Sequence, residues 1–231
     1  MRTRLITFDC AQTLVDVRWN PSQLAVDSAR AVGVYVDKVQ ALAEYQRLLS
    51  SRWPLFRELN LTRSREVCDA FWLRLTEDWA TASGIAPSRV GDIYDEAERR
   101  LFGPNSEVFR LYDDVIPTLD ALREKGIRMA IISNWDVSLH RVVEMLGLSP
   151  YFELVIASLE EGVEKPEPEI FKLALRKLSA SPDVSLHVGD QPVDDLQGAR
   201  QVGMRGLLID RNQPVSGRLV LNRLDHILDH L

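Results

Sequence analysis

The sequence predicts an α/β protein in which a Rossmann-like core, built on a parallel sheet, is interrupted by an inserted helical cap domain. Downstream of Gly103-Pro104, short β-type runs alternate with helical stretches, which is the pattern of a parallel sheet with right-handed crossovers. One further β-type run, Leu5–Asp9, precedes a long helical stretch and must rejoin that sheet. We therefore expect the core to comprise residues 1–15 and 105–231 and the cap to comprise residues 16–104.

The N-terminal half of the chain is predicted to hold the first strand and the helices of the insert. The strand Leu5–Asp9 is followed, after a short turn, by a polar bend at Val15–Pro21, and Pro21 suits the first turn of a helix. Apolar residues then recur at helical spacing, most clearly at Val67, Phe71, Leu75 and Trp79. We expect four helices here: from Pro21 to Gly33, from about Val36 to Ser51, along the stripe just named, and from about Ser88 to Leu101.

The remainder of the chain repeats a strand–helix unit. Strands are expected at Arg128–Ile132, Leu154–Ala157, Ser185–Val188 and Gly206–Ile209. Helices are expected at Ile116–Lys125, Val137–Leu146, Glu169–Leu178, Asp194–Val202 and Leu219–Leu228. Glycines that suit helix C-termini follow three of them, at Gly126, Gly147 and Gly203.

The composition limits the partners and the compartment of the protein. Of the 231 residues, 45% are apolar, which is enough for a packed core. The formal net charge of −6 argues against binding to nucleic acid or to an anionic membrane surface, and no apolar run is long enough to cross a membrane. The two cysteines, Cys10 and Cys68, form no metal-ligand pattern, so we expect a reducing, cytoplasmic location. The sequence leaves open whether the protein is a monomer or a homodimer.

Polar residues follow the predicted strand ends in four places. They are Asp9, Ser133-Asn134, Lys165-Pro166, and Gly189-Asp190 with Asp194 and Asp195 shortly after it. Taken singly, each is also typical of an ordinary turn, loop or helix cap. A parallel sheet brings such loops to one edge, where ligands bind, so we expect one lysine, one hydroxyl and several carboxylates to converge there.

This combination of groups suits phosphoryl transfer with Mg²⁺. The ion takes oxygen ligands, and the expected ones are Asp9, Asp190 and a backbone carbonyl near Ala11. The cation and Lys165 would neutralise a phosphate dianion, so that Asp9 could attack phosphorus and form an aspartyl-phosphate. Ser133 and backbone N–H groups would hold the phosphoryl oxygens.

Over nearly its full length, the sequence resembles the haloacid dehalogenase-like (HAD) superfamily. The matching motifs are Phe8-Asp9-Cys10-Ala11-Gln12-Thr13-Leu14, Ile132-Ser133-Asn134, Lys165-Pro166-Glu167-Pro168-Glu169-Ile170-Phe171, and Val188-Gly189-Asp190 with Asp195-Leu196-Gln197-Gly198-Ala199. The position and helical character of the insert look like the first cap type of this family. The resemblance implies a Mg²⁺-dependent hydrolase acting on a small phosphorylated metabolite.

The resemblance also implies a role for each candidate residue. Asp9 is implied as the nucleophile, Lys165 as the group that neutralises charge, and Asp190 as a ligand of Mg²⁺. The remaining roles are phosphate contact for Thr13 and Ser133, a pocket-lining position for Asn134, and support of the metal site or of Lys165 by Asp194 or Asp195.

The sequence departs from the family at the second residue after the nucleophile. Family phosphatases carry an aspartate there, which protonates the leaving group and later activates water, whereas this chain has Ala11. General acid–base help is worth about 10²–10⁴-fold in rate. Gln12 likewise replaces the usual glycine, which would alter the turn.

Several interpretations follow from Ala11. The protein could be a slow phosphatase, one restricted to good leaving groups such as acyl or aryl phosphates, or one that takes its acid from the cap or the substrate. It could be a phosphonatase-like hydrolase, which would need a cap lysine for a Schiff base, and Lys38 is the only lysine there. It could also be a regulatory protein that binds metal and phosphate with little turnover. A dehalogenase is disfavoured, because the tyrosine usual at the position of Ala11 is absent.

Overall fold

The computed structural model describes residues 3–212 and 219–231 of the chain. The chain divides into two compact units, Met1–Val17 with Arg110–Leu231, and Arg18–Phe109. We call the first the core unit and the second the helical unit. In the described ranges, every helix is too short or too polar to span a membrane.

A six-stranded parallel sheet forms the centre of the core unit, which confirms the predicted fold class. Along the chain the strands are β1 (Leu5–Phe8), β2 (Val15–Val17), β3 (Phe109–Leu111), β4 (Arg128–Ser133), β5 (Leu154–Ala157), β6 (Ser185–Gly189), β7 (Arg205–Ile209) and β8 (Val220–Leu221). The order in the large sheet is β5-β4-β1-β6-β7-β8, and β2 pairs separately with β3.

The first strand occupies the middle of the sheet and sets the position of the residues that follow it. All four residues of β1 are buried, as expected for a strand covered on both faces. Phe8 lies beside Ile131 of β4 on one side and Val188 of β6 on the other. The three strands therefore end at one edge, with Asp9 between the ends of β4 and β6.

The helical unit contains four α-helices, as the sequence predicts, and all of its residues are described. They are α1 (Pro21–Ala31), α2 (Lys38–Asn60), α3 (Arg65–Ala82) and α4 (Val90–Phe102), with a 3₁₀ turn at Pro87–Arg89. Asn20, Asp37 and Ser64 cap the N-termini of the first three helices by accepting hydrogen bonds from backbone N–H groups. The buried indole of Trp79 donates from Nε1 to the carbonyl of Ala41 at 2.9 Å, which ties α3 to α2.

The second helix is longer than the sequence predicts. We expected it to end near Ser51, but it continues through Pro54 to Asn60. A proline inside a helix removes one backbone hydrogen bond. Beyond it, the fully buried ring of Phe56 packs against Phe71 at 4.7 Å and Trp72 at 5.0 Å between ring centroids. This aromatic packing offsets the lost hydrogen bond and carries the helix past the proline.

Helices also flank the sheet of the core unit. They are α5 (Val115–Glu124), α6 (Ser138–Met145), α7 (Ser158–Glu161), α8 (Pro168–Lys177) and α9 (Gly198–Gln201). Short 3₁₀ segments lie at Ser149–Tyr151, Pro182–Val184 and Leu224–His230, and a π-helical turn lies at Pro192–Gln197. The helix predicted at Asp194–Val202 is therefore a π turn continued by α9.

Two predictions of local structure are wrong. The first three residues of the expected polar bend form β2, and the expected last helix at Leu219–Leu228 is instead β8 followed by a 3₁₀ segment. The backbone N–H of Leu208 donates to the carbonyl of Leu219 at 2.9 Å, so this segment finds its hydrogen bonds beside β7. Short apolar runs do not distinguish a strand from a helix by periodicity, and pairing with an existing sheet edge decides the outcome here.

Candidate active site

The predicted site residues meet at the carboxyl edge of the sheet. Asp9 follows β1 and Ser133 ends β4, while Asp190 follows β6. The backbone N–H of Asp9 donates to the carbonyl of Val188 at 2.8 Å, so the aspartate is still held by the ladder of the sheet. The nucleophile candidate is thus fixed by rigid backbone while its side chain leaves the sheet.

The carboxylate of Asp9 is buried, and one of its oxygens forms both a hydrogen bond and an ion pair. Its Oδ1 accepts a hydrogen bond from the hydroxyl of Ser133 at 2.7 Å and lies 2.9 Å from the ammonium of Lys165. Both of these contacts are made by Oδ1 and neither is made by Oδ2. Ser133 and Lys165 therefore anchor one of the two oxygens of Asp9.

A buried ammonium links two carboxylates at this site. Lys165 is 3% exposed, and its Nζ contacts Oδ1 of Asp9 at 2.9 Å and Oδ1 of Asp195 at 2.5 Å. Burial acts to lower the pKa of Lys165, but Asp9 and then Asp195 hold the pKa above its ordinary value. The ammonium therefore stays charged and neutralises part of the negative charge around Asp9.

Asn134 fixes the backbone that carries this lysine. Its side-chain Nδ2 donates to the carbonyl of Lys165 at 2.9 Å, and its Oδ1 accepts from the N–H of Lys165 at 2.8 Å. We expected Asn134 to line the substrate pocket. In the structure, both ends of its amide bind the Lys165 backbone.

Of the two adjacent aspartates on the π turn, only Asp195 reaches the lysine. Asp195 is fully buried, and besides Lys165 it accepts hydrogen bonds from Nε2 of His187 at 3.0 Å and from the N–H of Gln191 at 2.9 Å. Burial opposes its ionisation, but His187 and Lys165 hold the pKa of Asp195 well below its ordinary range. Asp194 is partly buried, and that burial raises the pKa of its carboxyl.

Three carboxylates lie close enough together to share a cation. Asp9, Asp190 and Asp195 each offer an oxygen within 4.8 Å of the others. Oδ1 of Asp190 is buried and has no partner among the described residues. Burial raises the pKa of Asp190, and the charge of Asp9 raises that pKa further, to about 6. An unpartnered buried carboxylate oxygen beside a second carboxylate fits a hard cation with oxygen ligands, such as Mg²⁺.

The loop after Asp9 has an unusual backbone residue at the position where the family carries glycine. Gln12 has φ +55°, in the left-handed region that favours glycine. Its side chain donates to the carbonyl of Val17 at 3.0 Å and accepts from the hydroxyl of Tyr112 at 2.9 Å. These two hydrogen bonds hold the turn. Ala11 forms an isolated backbone bridge with Val15, and its methyl group brings no proton donor to the site.

A hydroxyl of the same loop is buried without a partner. Oγ1 of Thr13 finds no hydrogen-bond partner among the described residues, as a group awaiting a ligand oxygen would. Cys10 is also buried, and that burial, with the charge of Asp9, raises the pKa of its thiol far above the usual range. Cys10 is therefore a packing residue rather than a nucleophile.

Sequence reasoning missed a second group that holds the loop. Arg211 donates from Nη2 to the carbonyl of Thr13 at 2.6 Å and from Nη1 to Asp114 at 2.9 Å. Its guanidinium also lies 3.6 Å from the ring centroid of Tyr112. Arg211 and Thr13 are far apart in the sequence, and no motif connects them. Only the fold could reveal this contact.

The glycine before Asp190 lets the π turn approach the end of β6. A Cβ added at Gly189 would lie 2.0 Å from Cγ of Asp195. We predict that Gly189→Ala destabilises the protein by about 1–3 kcal/mol, as expected for overpacking, because Asp195 or the strand end must move. The urea midpoint of unfolding measures this effect.

Gly91→Ala in α4 is the matched control for that substitution. A Cβ at Gly91 meets no atom within 4 Å, so this change should raise stability by roughly 0.5–1 kcal/mol. Equal midpoints for the two variants would contradict the proposed close approach.

A family model and several known proteins match this chain. The family model for haloacid dehalogenase-like hydrolase matches residues 3–203. Haloacid dehalogenase-like hydrolase domain-containing protein 3 of Homo sapiens is 30% identical over 213 residues, which are 90% of this chain and 82% of that protein. The phosphoserine phosphatase of Thermus thermophilus is 30% identical over 168 residues, covering 71% of this chain and 64% of that protein.

A solved structure shows the same architecture over the whole chain. It is the 2-haloacid dehalogenase of Pseudomonas syringae pv. Tomato DC3000, with a TM-score of 0.68 and 25% identity, covering 98% of this chain and 97% of that one. The matched family, the parallel sheet and the residues gathered at its edge lead to one conclusion. The chain belongs to the haloacid dehalogenase-like hydrolase family.

Proposed function

We propose that this protein is a Mg²⁺-dependent phosphatase that hydrolyses a small phosphorylated metabolite through an aspartyl-phosphate on Asp9. The observation that carries the proposal is the convergence on Asp9 of the buried Lys165 ammonium and of Asp190, whose Oδ1 has no partner among the described residues. The similarity to a phosphoserine phosphatase supports the choice of a phosphate ester as substrate.

The residues of the chain account for the first half of the reaction. Oδ2 of Asp9 attacks phosphorus, and the bond from phosphorus to the leaving oxygen breaks, so that oxygen departs with the electron pair. Lys165 and Ser133 hold Oδ1, which fixes the direction of the attacking oxygen. The hydroxyl of Thr13, which has no partner within residues 3–212 and 219–231, would bind a phosphoryl oxygen. In the second half, water attacks the phosphoryl group and gives a proton to the solvent. The bond from phosphorus to Asp9 then breaks, which restores the carboxylate and releases inorganic phosphate.

Asp9, Asp190 and the carbonyl of Ala11 are the groups that would hold Mg²⁺. Bound there, the cation would neutralise negative charge on the phosphoryl oxygens. Asp195 contributes to this site through Lys165, because its oxygens already accept hydrogen bonds from Lys165, His187 and Gln191. We propose that Asp194, the second supporting candidate, adds only negative charge nearby.

The rate of this reaction depends on the leaving group. Ala11 supplies no proton to the departing oxygen and no base to the attacking water. Aryl and acyl phosphates release stable anions and need little protonation, so we propose that such substrates turn over fastest. We propose further that the helical unit serves as the cap domain. The expected cytoplasmic location and the choice between monomer and homodimer stay predictions.

The other functions considered from the sequence have less support. Lys38, the lysine that a phosphonatase-like Schiff base would need, is exposed at the start of α2, whereas burial activates such lysines. A regulatory protein that binds metal and phosphate would use the same residues without turnover. Activity measurements separate it from the enzyme.

The first prediction concerns the nucleophile. With Mg²⁺ present, the native protein should hydrolyse an aryl phosphate, and Asp9→Asn should reduce kcat on the order of 10⁴-fold or more, because the amide cannot form the covalent intermediate. Asp113→Asn, whose parent side chain is 85% exposed, is the control and should keep full activity. Absence of turnover on aryl, acyl and sugar phosphates would favour the regulatory protein.

The second prediction concerns Mg²⁺ and pH. The folded pKa of Asp190, about 6, lies above its ordinary value, so the folded state binds more protons as the pH falls towards 4. As the pH rises through this window, the charge on Asp190 lowers the stability of the metal-free protein. Mg²⁺ should therefore raise the free energy of unfolding most above pH 6, by about 2.7 kcal/mol at a hundredfold excess over Kd, and progressively less below pH 6. The rise in melting temperature on adding Mg²⁺ measures this effect.

A substitution at Asp190 checks the assignment of this ion. Asp190→Asn should melt higher than the native protein at pH 7.5 without metal, because the repulsion with Asp9 is gone, and should gain nothing from Mg²⁺. Asp113→Asn should behave as the native protein does in both measurements. An undiminished Mg²⁺ effect in Asp190→Asn would remove Asp190 from the ligand set.

The third prediction concerns the missing acid. If Ala11 limits turnover of poor leaving groups, Ala11→Asp should raise kcat on an alkyl phosphate by about 10²–10⁴-fold, and raise it less on an aryl phosphate. Asparagine has nearly the same size as aspartate but no proton that it could transfer to the leaving group. The control Ala11→Asn should therefore leave the rates on the alkyl and the aryl phosphate unchanged. An alkyl phosphate rate that stays low in Ala11→Asp would show that another step is limiting.

A further inference from the structure

We infer that His187 is a positioning residue, which fixes the Lys165 ammonium at the nucleophile by holding the carboxylate between them. The structure joins five side chains in one buried hydrogen-bonded line, here named the relay: Thr7, His187, Asp195, Lys165 and Asp9. The catalytic part of this inference rests on the proposed function, but the geometric part does not.

The sheet places the first two members of the relay side by side. Thr7 of β1 and His187 of β6 are register partners, and both are fully buried. Oγ1 of Thr7 lies 2.8 Å from Nδ1 of His187. The ring of Phe171 packs edge-to-face on the imidazole at 5.1 Å between centroids. The imidazole is therefore held by a strand neighbour and by an aromatic ring, and it has no room to turn.

The contact with Asp195 assigns a hydrogen to one ring nitrogen of this histidine. An ionised carboxylate only accepts hydrogen bonds, so Nε2 of His187, 3.0 Å from Oδ1 of Asp195, must carry a hydrogen. The Thr7 hydroxyl, which is both a donor and an acceptor, is the partner of Nδ1. In this arrangement all the buried polar atoms of the pair are satisfied, which accounts for a polar pair in the middle of the sheet.

His187 and Lys165 share one oxygen of Asp195, and this sharing has a consequence for catalysis. Oδ1 of Asp195 accepts from His187 and from Lys165, while the other oxygen accepts from the N–H of Gln191. These donors leave the carboxylate a single orientation, and that orientation directs the ammonium of Lys165 at Oδ1 of Asp9. Without the donor at His187, Asp195 can rotate about its side-chain torsions, and Lys165 loses its fixed place beside the nucleophile.

Sequence alone favours an ordinary core residue at position 187. A histidine inside an apolar strand is most often packing, and the burial of His187 agrees with that view. Any buried histidine needs partners for its ring nitrogens, but one partner of His187 is a carboxylate oxygen that also binds the Lys165 ammonium. A role in packing and a role in positioning therefore predict different results when only the donor is removed.

The experiment compares three substitutions of similar size. His187→Met removes the hydrogen-bond donor to Asp195, whereas His187→Gln keeps an N–H donor near the place of Nε2. Thr7→Val removes only the hydroxyl that contacts Nδ1 of His187. On an aryl phosphate with saturating Mg²⁺, we expect His187→Met to lower kcat about 10- to 100-fold with KM changed little, and His187→Gln to recover most of that loss. Equal kcat in the Met and Gln variants would overturn the inference.

Two readouts do not depend on turnover. Long-range ¹H–¹⁵N NMR of the native protein should show a hydrogen on Nε2 of His187, with the Nδ1 resonance shifted in Thr7→Val. A crystal structure of His187→Met should show Nζ of Lys165 displaced from Oδ1 of Asp9. The opposite tautomer, or an unmoved Lys165, would overturn the inference even if the native protein hydrolysed no phosphate. Failure of the proposed function is thus distinguishable from failure of the relay.

Discussion

The site depends on one buried ammonium held between two carboxylates. Three acidic side chains gathered at one point repel each other, and burial makes that repulsion costly. Lys165 lies against Asp9 and Asp195 and offsets part of this charge, while Oδ1 of Asp190 has no partner in the described part of the chain. Under the proposed function, a bound cation would neutralise the remaining negative charge, which is the condition under which a carboxylate can approach a phosphoryl group.

The order of the strands makes this charge arrangement possible. β1 lies between β4 and β6, so Asp9 emerges between the Ser133 end of one neighbour and the Asp190 end of the other. The Lys165 loop and the π turn are then drawn close by small residues. A Cβ at Gly189 would meet Asp195, and a Cβ at Gly198 would lie 2.7 Å from the ring of Phe171. The glycines of the motif are therefore required by packing around the charges as much as by turn geometry.

The sequence predicted the parts of the protein that repeat a strong local signal, and it failed where contacts between distant segments decide. Apolar runs ending in polar residues located the main strands and placed Asp9, Ser133 and Asp190 at one edge. Periodicity could not foresee that Val220–Leu221 would pair beside β7, because two residues carry no period. It could not foresee that Asp195, rather than Asp194, would reach Lys165, because that choice depends on the wide π turn. The contact between His187 and Asp195 could not be foreseen either, because it depends on the same π turn.

The two departures from the family motif differ in their physical consequences. Gln12 in place of glycine costs on the order of 1 kcal/mol of backbone strain, and hydrogen bonds to Val17 and Tyr112 offset that cost, so the turn survives. Ala11 in place of an aspartate changes no backbone contact that the turn requires, but it removes the only group at that position able to transfer a proton. The fold compensates for the change at Gln12, whereas the change at Ala11 removes a proton-transfer group and is not compensated by packing. Under the proposed function, this chain therefore supplies binding and nucleophilic attack, and the substrate has to supply a good leaving group.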